Sequence, residues 1–136
     1  MEKVMQRYQM ALQTLSTLKE VLEAIEQGVP EEYYLNMRDS AIQRFEYSID
    51  TLWKFLKIYL QESLNMQVES ASPRSVIRNA LDANIVYQNE FEQLMRCITS
   101  RNETSHAYNE ELAQNLMDEL PSFYETMHTI LIRIKI

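Results

Sequence analysis

The stretch Arg101-Asn102-Glu103-Thr104-Ser105-His106-Ala107-Tyr108 places a permanent cation, an imidazole and a phenol within eight residues. A guanidinium can hold a phosphate by two oxygens at once, and an imidazole titrating near neutrality can move a proton. The surrounding pattern singles the arginine out. Reading back from it, Ile98, Leu94, Phe91 and Tyr87 fall three and four residues apart, the inward seam of an amphipathic helix. Arg101 therefore takes a place where the pattern calls for another apolar residue. His106 follows five residues later, about 140° round a continuous helix. The two side chains share a site only if the chain turns between them, and Asn102, Thr104 and Ser105 favour such a turn. A plainer reading stays open: Arg101 caps the carbonyls of a helix end, and His106 rides on the loop that follows. Chance supplies this arginine–histidine spacing in about one such chain in ten, and the tyrosine two residues on lowers that below about one in a hundred.

The elements that must position this corner are helices. Val4, Tyr8, Ala11, Leu15, Leu18, Leu22 and Ile25 keep a heptad seam from about Glu2 to Gln27, where Gly28 supplies a stop and Pro30 blocks continuation. Ile42, Phe45, Ile49, Leu52, Leu56 and Tyr59 mark a second long helix ending near Asn65. Trp53, Phe55, Tyr59 and Leu60 give it more apolar surface than one seam needs, which points to a homodimer interface. After a loop from Met66 to Ala71, Ser72-Pro73 reads as an N-cap with proline at the first helical position, opening a short helix to about Asn84. The next helix runs from Tyr87 to Arg101. Beyond the corner, Asn109-Glu110-Glu111 reads as a cap with acids in the first turn, and Pro121 is expected to open a separate last helix carrying Phe123, Met127, Ile130 and Ile134. Near-parallel seams joined by short connections give an all-α fold, an up-and-down antiparallel helical bundle with a four-helix core plus short extra helices.

Composition agrees. A chain of 136 residues is one domain, and one glycine with three prolines leaves little from which to build β-turns. The single Cys97, amid Met95, Arg96 and Ile98, rules out an internal disulfide and suits a reducing cytoplasm. Glu2, Lys3, Gln6 and Arg7 interrupt the N-terminus, so no signal peptide is expected, and no apolar run reaches membrane-spanning length. A net charge of −7 argues against a protein that coats RNA, and less strongly against one that cuts it at a small local site. No Gly-rich phosphate loop and no His/Asp/Glu cluster with metal-ligand spacing is visible, so neither cofactor nor metal is expected. Glu23 with Glu26, and Glu31 with Glu32, read as solvated face. His128, among apolar neighbours, reads as a packed or surface histidine.

The pattern Arg101-Asn102-x-x-x-His106-x-Tyr108 resembles the signature of HEPN domains, in the form found in HEPN proteins paired with minimal nucleotidyltransferases. Arg44-Phe45-Glu46-Tyr47 through Trp53-Lys54 is similar to the second helix of proteins described as nucleotidyltransferase substrate-binding. Ser72-Pro73-Arg74 with Ile77-Arg78 is similar to the opening of their third helix. The resemblance spans about residues 1–136. It implies a homodimeric helical bundle whose Arg/His corners face each other across one cleft. It further implies a metal-independent RNase toxin, neutralised by a nucleotidyltransferase partner that can transfer AMP to Tyr108. An older reading of the same family makes the chain a non-catalytic substrate-binding subunit of a two-component nucleotidyltransferase.

Within that frame Arg101 and His106 are the expected catalytic pair. Cutting RNA without a metal requires the 2′-hydroxyl to lose its proton, the phosphorane to be stabilised and the leaving 5′-oxygen to gain a proton. His106 suits the proton transfers and Arg101 the charge on phosphorus. Asn102 either contacts the phosphate, orients His106, or simply caps the corner. AMP on Tyr108 would put negative charge where the RNA phosphate must sit. Arg74 and Arg78 share a helical face that either guides RNA or is ordinary solvated surface.

Overall fold

The computed structural model describes residues 1–106 and 109–136, with the side chains of Ser105 and His106 outside that description. Five α-helices account for most of it: α1 (Glu2–Gln27), α2 (Glu31–Ile58), α3 (Pro73–Asp82), α4 (Gln88–His106) and α5 (Glu110–Ile134). The long helices α1, α2, α4 and α5 pack up and down around one core, and short α3 lies against both α2 and α4. Among the described residues no helix is long and apolar enough to cross a membrane.

The ends of the elements follow from local chemistry. Gly28 sits at φ +110°, where a side chain would be strained, and closes α1 with its amide on the Ile25 carbonyl. Ser72 Oγ accepts from the Ser75 amide with Pro73 at the first turn of α3, and Asn109 Oδ1 accepts from the Leu112 amide at the start of α5. The second long helix relaxes at its end into one π-type turn, Tyr59–Ser63, before Asn65 takes a left-handed conformation.

Ring contacts join the helices across a core that is otherwise mostly aliphatic. Phe45 stacks on Phe123 with centroids 5.6 Å apart, and Tyr8 tilts against Phe55 at 5.2 Å. The buried Tyr8 hydroxyl donates to the Leu131 carbonyl at 2.8 Å, which ties α1 to α5. Each such ring contributes roughly 2 kcal/mol by its burial. Cys97 is fully buried, and burial foremost pushes its thiol up, so it stays protonated. His128 lies face to face with Tyr124, centroids 5.5 Å apart, as a packed histidine does.

Four expectations need correction. Pro121 opens no new helix: α5 runs unbroken from Glu110 to Ile134. Proline removes only one amide from the ladder, and buried Leu116, Met117 and Leu120 before it share a core with Phe123, Tyr124 and Met127 after it. That continuous apolar face holds the register. Next, α4 does not end at Arg101 but continues helically to His106. Third, Phe55 and Leu60 are fully buried, and Tyr59 packs on the Phe55 ring at 5.7 Å, so the supposed surplus apolar patch of α2 is largely core. Fourth, Tyr87 is 53 % exposed rather than on the inward seam; Arg133 of α5 lies over its ring, 4.1 Å from the centroid.

Candidate functional site

Arg101 comes from the inward seam of α4 and meets α2. Its Nε and Nη2 donate to the two carboxylate oxygens of Asp50, at 3.3 and 3.1 Å, a side-on fork. Its Nη1 donates to Glu46 Oε2 at 3.4 Å. Asp50 and Glu46 are four residues apart and so lie on one face of α2. Hydrogen bonding from Arg101 to Asp50, ahead of the opposing effect of burial and the added field of both acids, raises the guanidinium above its already high ordinary pKa. Thr104, one turn on, donates to Glu46 Oε2 or to the carbonyls of Ser100 and Arg101, all at 3.1–3.2 Å. Arg101 and Thr104 thus fasten the last turns of α4 to α2. That anchorage explains why Asn102, Thr104 and Ser105 continue the helix where their intrinsic preference is to turn.

The helix on the far side of the corner is fixed as firmly. Arg38 of α2 is 2 % exposed, and its two terminal nitrogens reach Glu110 Oε2 and Oε1 at 2.9 and 3.1 Å. Asp39 lies 3.7 Å from the same guanidinium. Glu110 stands in the first turn of α5, so this buried arginine fixes where α5 begins. Tyr34 adds a bond to Gln114 one turn later.

Two hollows flank the clamp. A cavity of about 500 Å³ opens between α2 and the α4–α5 corner, lined by residues including Ser40, Gln43, Glu46, Thr104 and Asn109. On the other side a cavity of about 160 Å³ is lined by Asp50, Trp53, Lys54, Arg101 and Asn102, with Pro73 of α3 at its edge. Asn102 is exposed there beside Arg101, as a second polar group at the same opening.

The expected site residues are only partly assembled. Arg101 and Asn102 share one small cavity. Because α4 is continuous, position 106 lies about 140° round the helix from position 101, and no turn brings the two together within one chain. The His106 side chain and the whole of Tyr108 lie outside the described residues. Arg74 and Arg78 are exposed on α3 and lean on α4: Arg74 donates to Thr99 Oγ1 at 3.0 Å, and Arg78 lies over the Phe91 ring at 5.7 Å. Sequence reasoning missed Asp50, Glu46 and Arg38. A usable signal existed for Arg38, which precedes Ile42, Phe45 and Ile49 on the seam and so breaks the apolar pattern as Arg101 does. Asp50 and Glu46 carried no such signal, since acids on a long helix are ordinary solvated residues.

Comparison with known proteins gives the geometry a context. The family model described as nucleotidyltransferase substrate binding protein like matches residues 5–136. A crystal structure from Thermus thermophilus is 35 % identical and superposes with a TM-score of 0.80, covering 93 % of this chain and 100 % of the other. A mutant of the MntA–HpeT toxin–antitoxin shares the fold at 16 % identity and a TM-score of 0.68, over 93 % of this chain and 99 % of that one. So does a tri-AMPylated Shewanella oneidensis HEPN toxin in complex with an MNT antitoxin, at 17 % identity and 0.56, over 88 % and 97 %. A search of curated proteins gives no match.

Proposed function

The chain belongs to the nucleotidyltransferase substrate-binding protein-like family and has the HEPN fold, and from that premise we propose that it is a ribonuclease toxin held in check by a nucleotidyltransferase partner. The observation that carries the reading is Arg101, a guanidinium locked by two carboxylates at the mouth of a cavity, in a motif that also supplies His106. A cation so fixed costs little reorganisation when a phosphorane develops charge beside it. With Arg101 and His106 on different faces of one helix, the working site is composite: two copies place their α4 ends across a shared cleft. One His106 takes the proton of the RNA 2′-hydroxyl and that oxygen attacks phosphorus. The bond to the 5′-oxygen breaks, and the second His106 protonates the leaving oxygen. Arg101, with Asn102 beside it, holds the non-bridging oxygens. None of these steps calls on a metal ion.

Control falls to Tyr108. In the partner's active site its phenol oxygen attacks the α-phosphorus of ATP, pyrophosphate leaves, and the resulting AMP ester puts bulk and negative charge at the corner. Co-expression with a cognate nucleotidyltransferase is expected to add the mass of AMP to Tyr108 and to lower RNA degradation. Tyr108→Phe is expected to keep cleavage and escape this control. The family description supports a second reading, a substrate-binding subunit of a two-component nucleotidyltransferase. AMP transferred to another molecule held by this chain, with Tyr108 unmodified, would replace the toxin reading with that one.

A further inference from the structure

The small cavity beside Arg101 does not end at Asp50. It shares Trp53 and Lys54 with a neighbouring hollow of about 220 Å³ lined by Arg7 of α1, Lys57, Ile58 and Gln61. The two hollows adjoin at those residues on the α2 surface, one bounded by α3 and α4 and the other by α1, and we read them as one furrow. Positions 50, 54 and 57 lie four and three apart, a single stripe of α2, and Gln61 follows in the π-type turn beyond it. The furrow's lining carries Lys54, Lys57 and Arg7, while Arg101 at its end is paired with Asp50 in the lining and with Glu46 beside it. In a chain of net charge −7 this is a local reversal of sign. In the middle stands Trp53, half-buried, with the Lys54 ammonium 5.9 Å from its ring centroid.

We propose that this furrow is the path of single-stranded RNA into the site, with Lys54, Lys57 and Arg7 on successive phosphates and a base stacked on Trp53. The proposal rests on the ribonuclease reading and gives it a substrate form. A row of cations beside one aromatic face is what a flexible strand with exposed bases recognises, whereas a duplex offers phosphates but no free base face. The furrow leads to Arg101, so a strand lying in it delivers a phosphate to the motif. Arg74 and Arg78, engaged with α4, are outside this path.

Trp53 is the only tryptophan, so its fluorescence reports the furrow directly. The probe is a twelve-nucleotide single-stranded RNA titrated into the His106→Ala chain, which keeps the RNA whole, with anisotropy of a labelled copy followed in parallel. Binding is expected to quench Trp53. Lys54→Gln with Lys57→Gln is expected to weaken affinity at least about tenfold and to lower the logarithmic salt slope by about 1.4, which is about 0.7 for each of the two phosphates left without a cation. The same sequence as a duplex is expected to bind without the quenching. No RNA binding, binding without quenching, an unchanged salt slope in the double variant, or Trp53 quenching by poly-glutamate instead of RNA would each overturn the furrow. Wild type that cuts RNA while Trp53 and the double variant give no response keeps the nuclease and loses the path. Quenching and salt dependence as described, with no cleavage by wild type, keep the path and lose the nuclease.

Discussion

At the scale of single residues, the site depends on the planarity of one guanidinium. Asp50 takes two of its nitrogens side-on and Glu46 a third, a geometry that a point-charge ammonium does not reproduce. Arg101→Lys therefore keeps the charge and loses the fork. We expect it to reduce RNA cleavage at least tenfold and to destabilise the fold by about 1 kcal/mol, since the pair is half-buried and partly screened. A matched comparison of cleavage rate and urea midpoint checks both, and a lysine variant with wild-type cleavage would show that charge alone suffices. Arg101 was legible in the sequence because it interrupts an apolar seam, and the same test would have found Arg38. Its acidic partners were not legible. Helical periodicity tells which face a residue occupies and says nothing of which neighbouring helix meets it.

At the scale of elements, seams and caps were readable and continuity was not. Gly28, Ser72 and Asn109 act as their types and positions suggest, because capping is settled within one turn of chain. Pro121 and the stretch after Arg101 went against local preference for a tertiary reason: a shared core holds α5 continuous, and bonds to Glu46 and Asp50 prolong α4. The opposite end of the α4–α5 pair has its own lock. Glu90, 6 % exposed, accepts from the Tyr87 amide at 2.9 Å and from Arg133 at 2.6 and 2.8 Å, and Arg133 also donates to the Ile85 carbonyl. Burial pulls the Glu90 carboxyl up, but the hydrogen bonds from Arg133 and Tyr87 outweigh it and leave the group below its ordinary 4.5. A carboxyl lowered in the folded state stabilises fully above the ordinary value, and that stability is lost as pH falls through the lowered one. Glu90→Gln is expected to cost about 2 kcal/mol at pH 7 and to flatten the decline of stability below pH 4.5. Urea titrations across pH 3–7 decide it; an unchanged acid slope would remove Glu90 from this explanation of acid sensitivity.

At the scale of the whole molecule, one chain does not complete the proposed chemistry, because a continuous α4 parts position 101 from position 106. The nuclease reading therefore requires a homodimer that brings two α4 ends together, rather than one formed through Phe55 and Leu60, which lie in the core. Light scattering at micromolar concentration is expected to give twice the chain mass of 16.2 kDa, and a stable monomer there would dismantle the composite site. The most direct test is cleavage itself. Purified protein is incubated with single-stranded RNA in excess EDTA, beside His106→Ala of equal helicity and melting temperature. Wild type is expected to leave 2′,3′-cyclic phosphate ends while His106→Ala leaves the RNA intact; equal degradation by the two proteins, or none by either, would contradict a nuclease built on this motif.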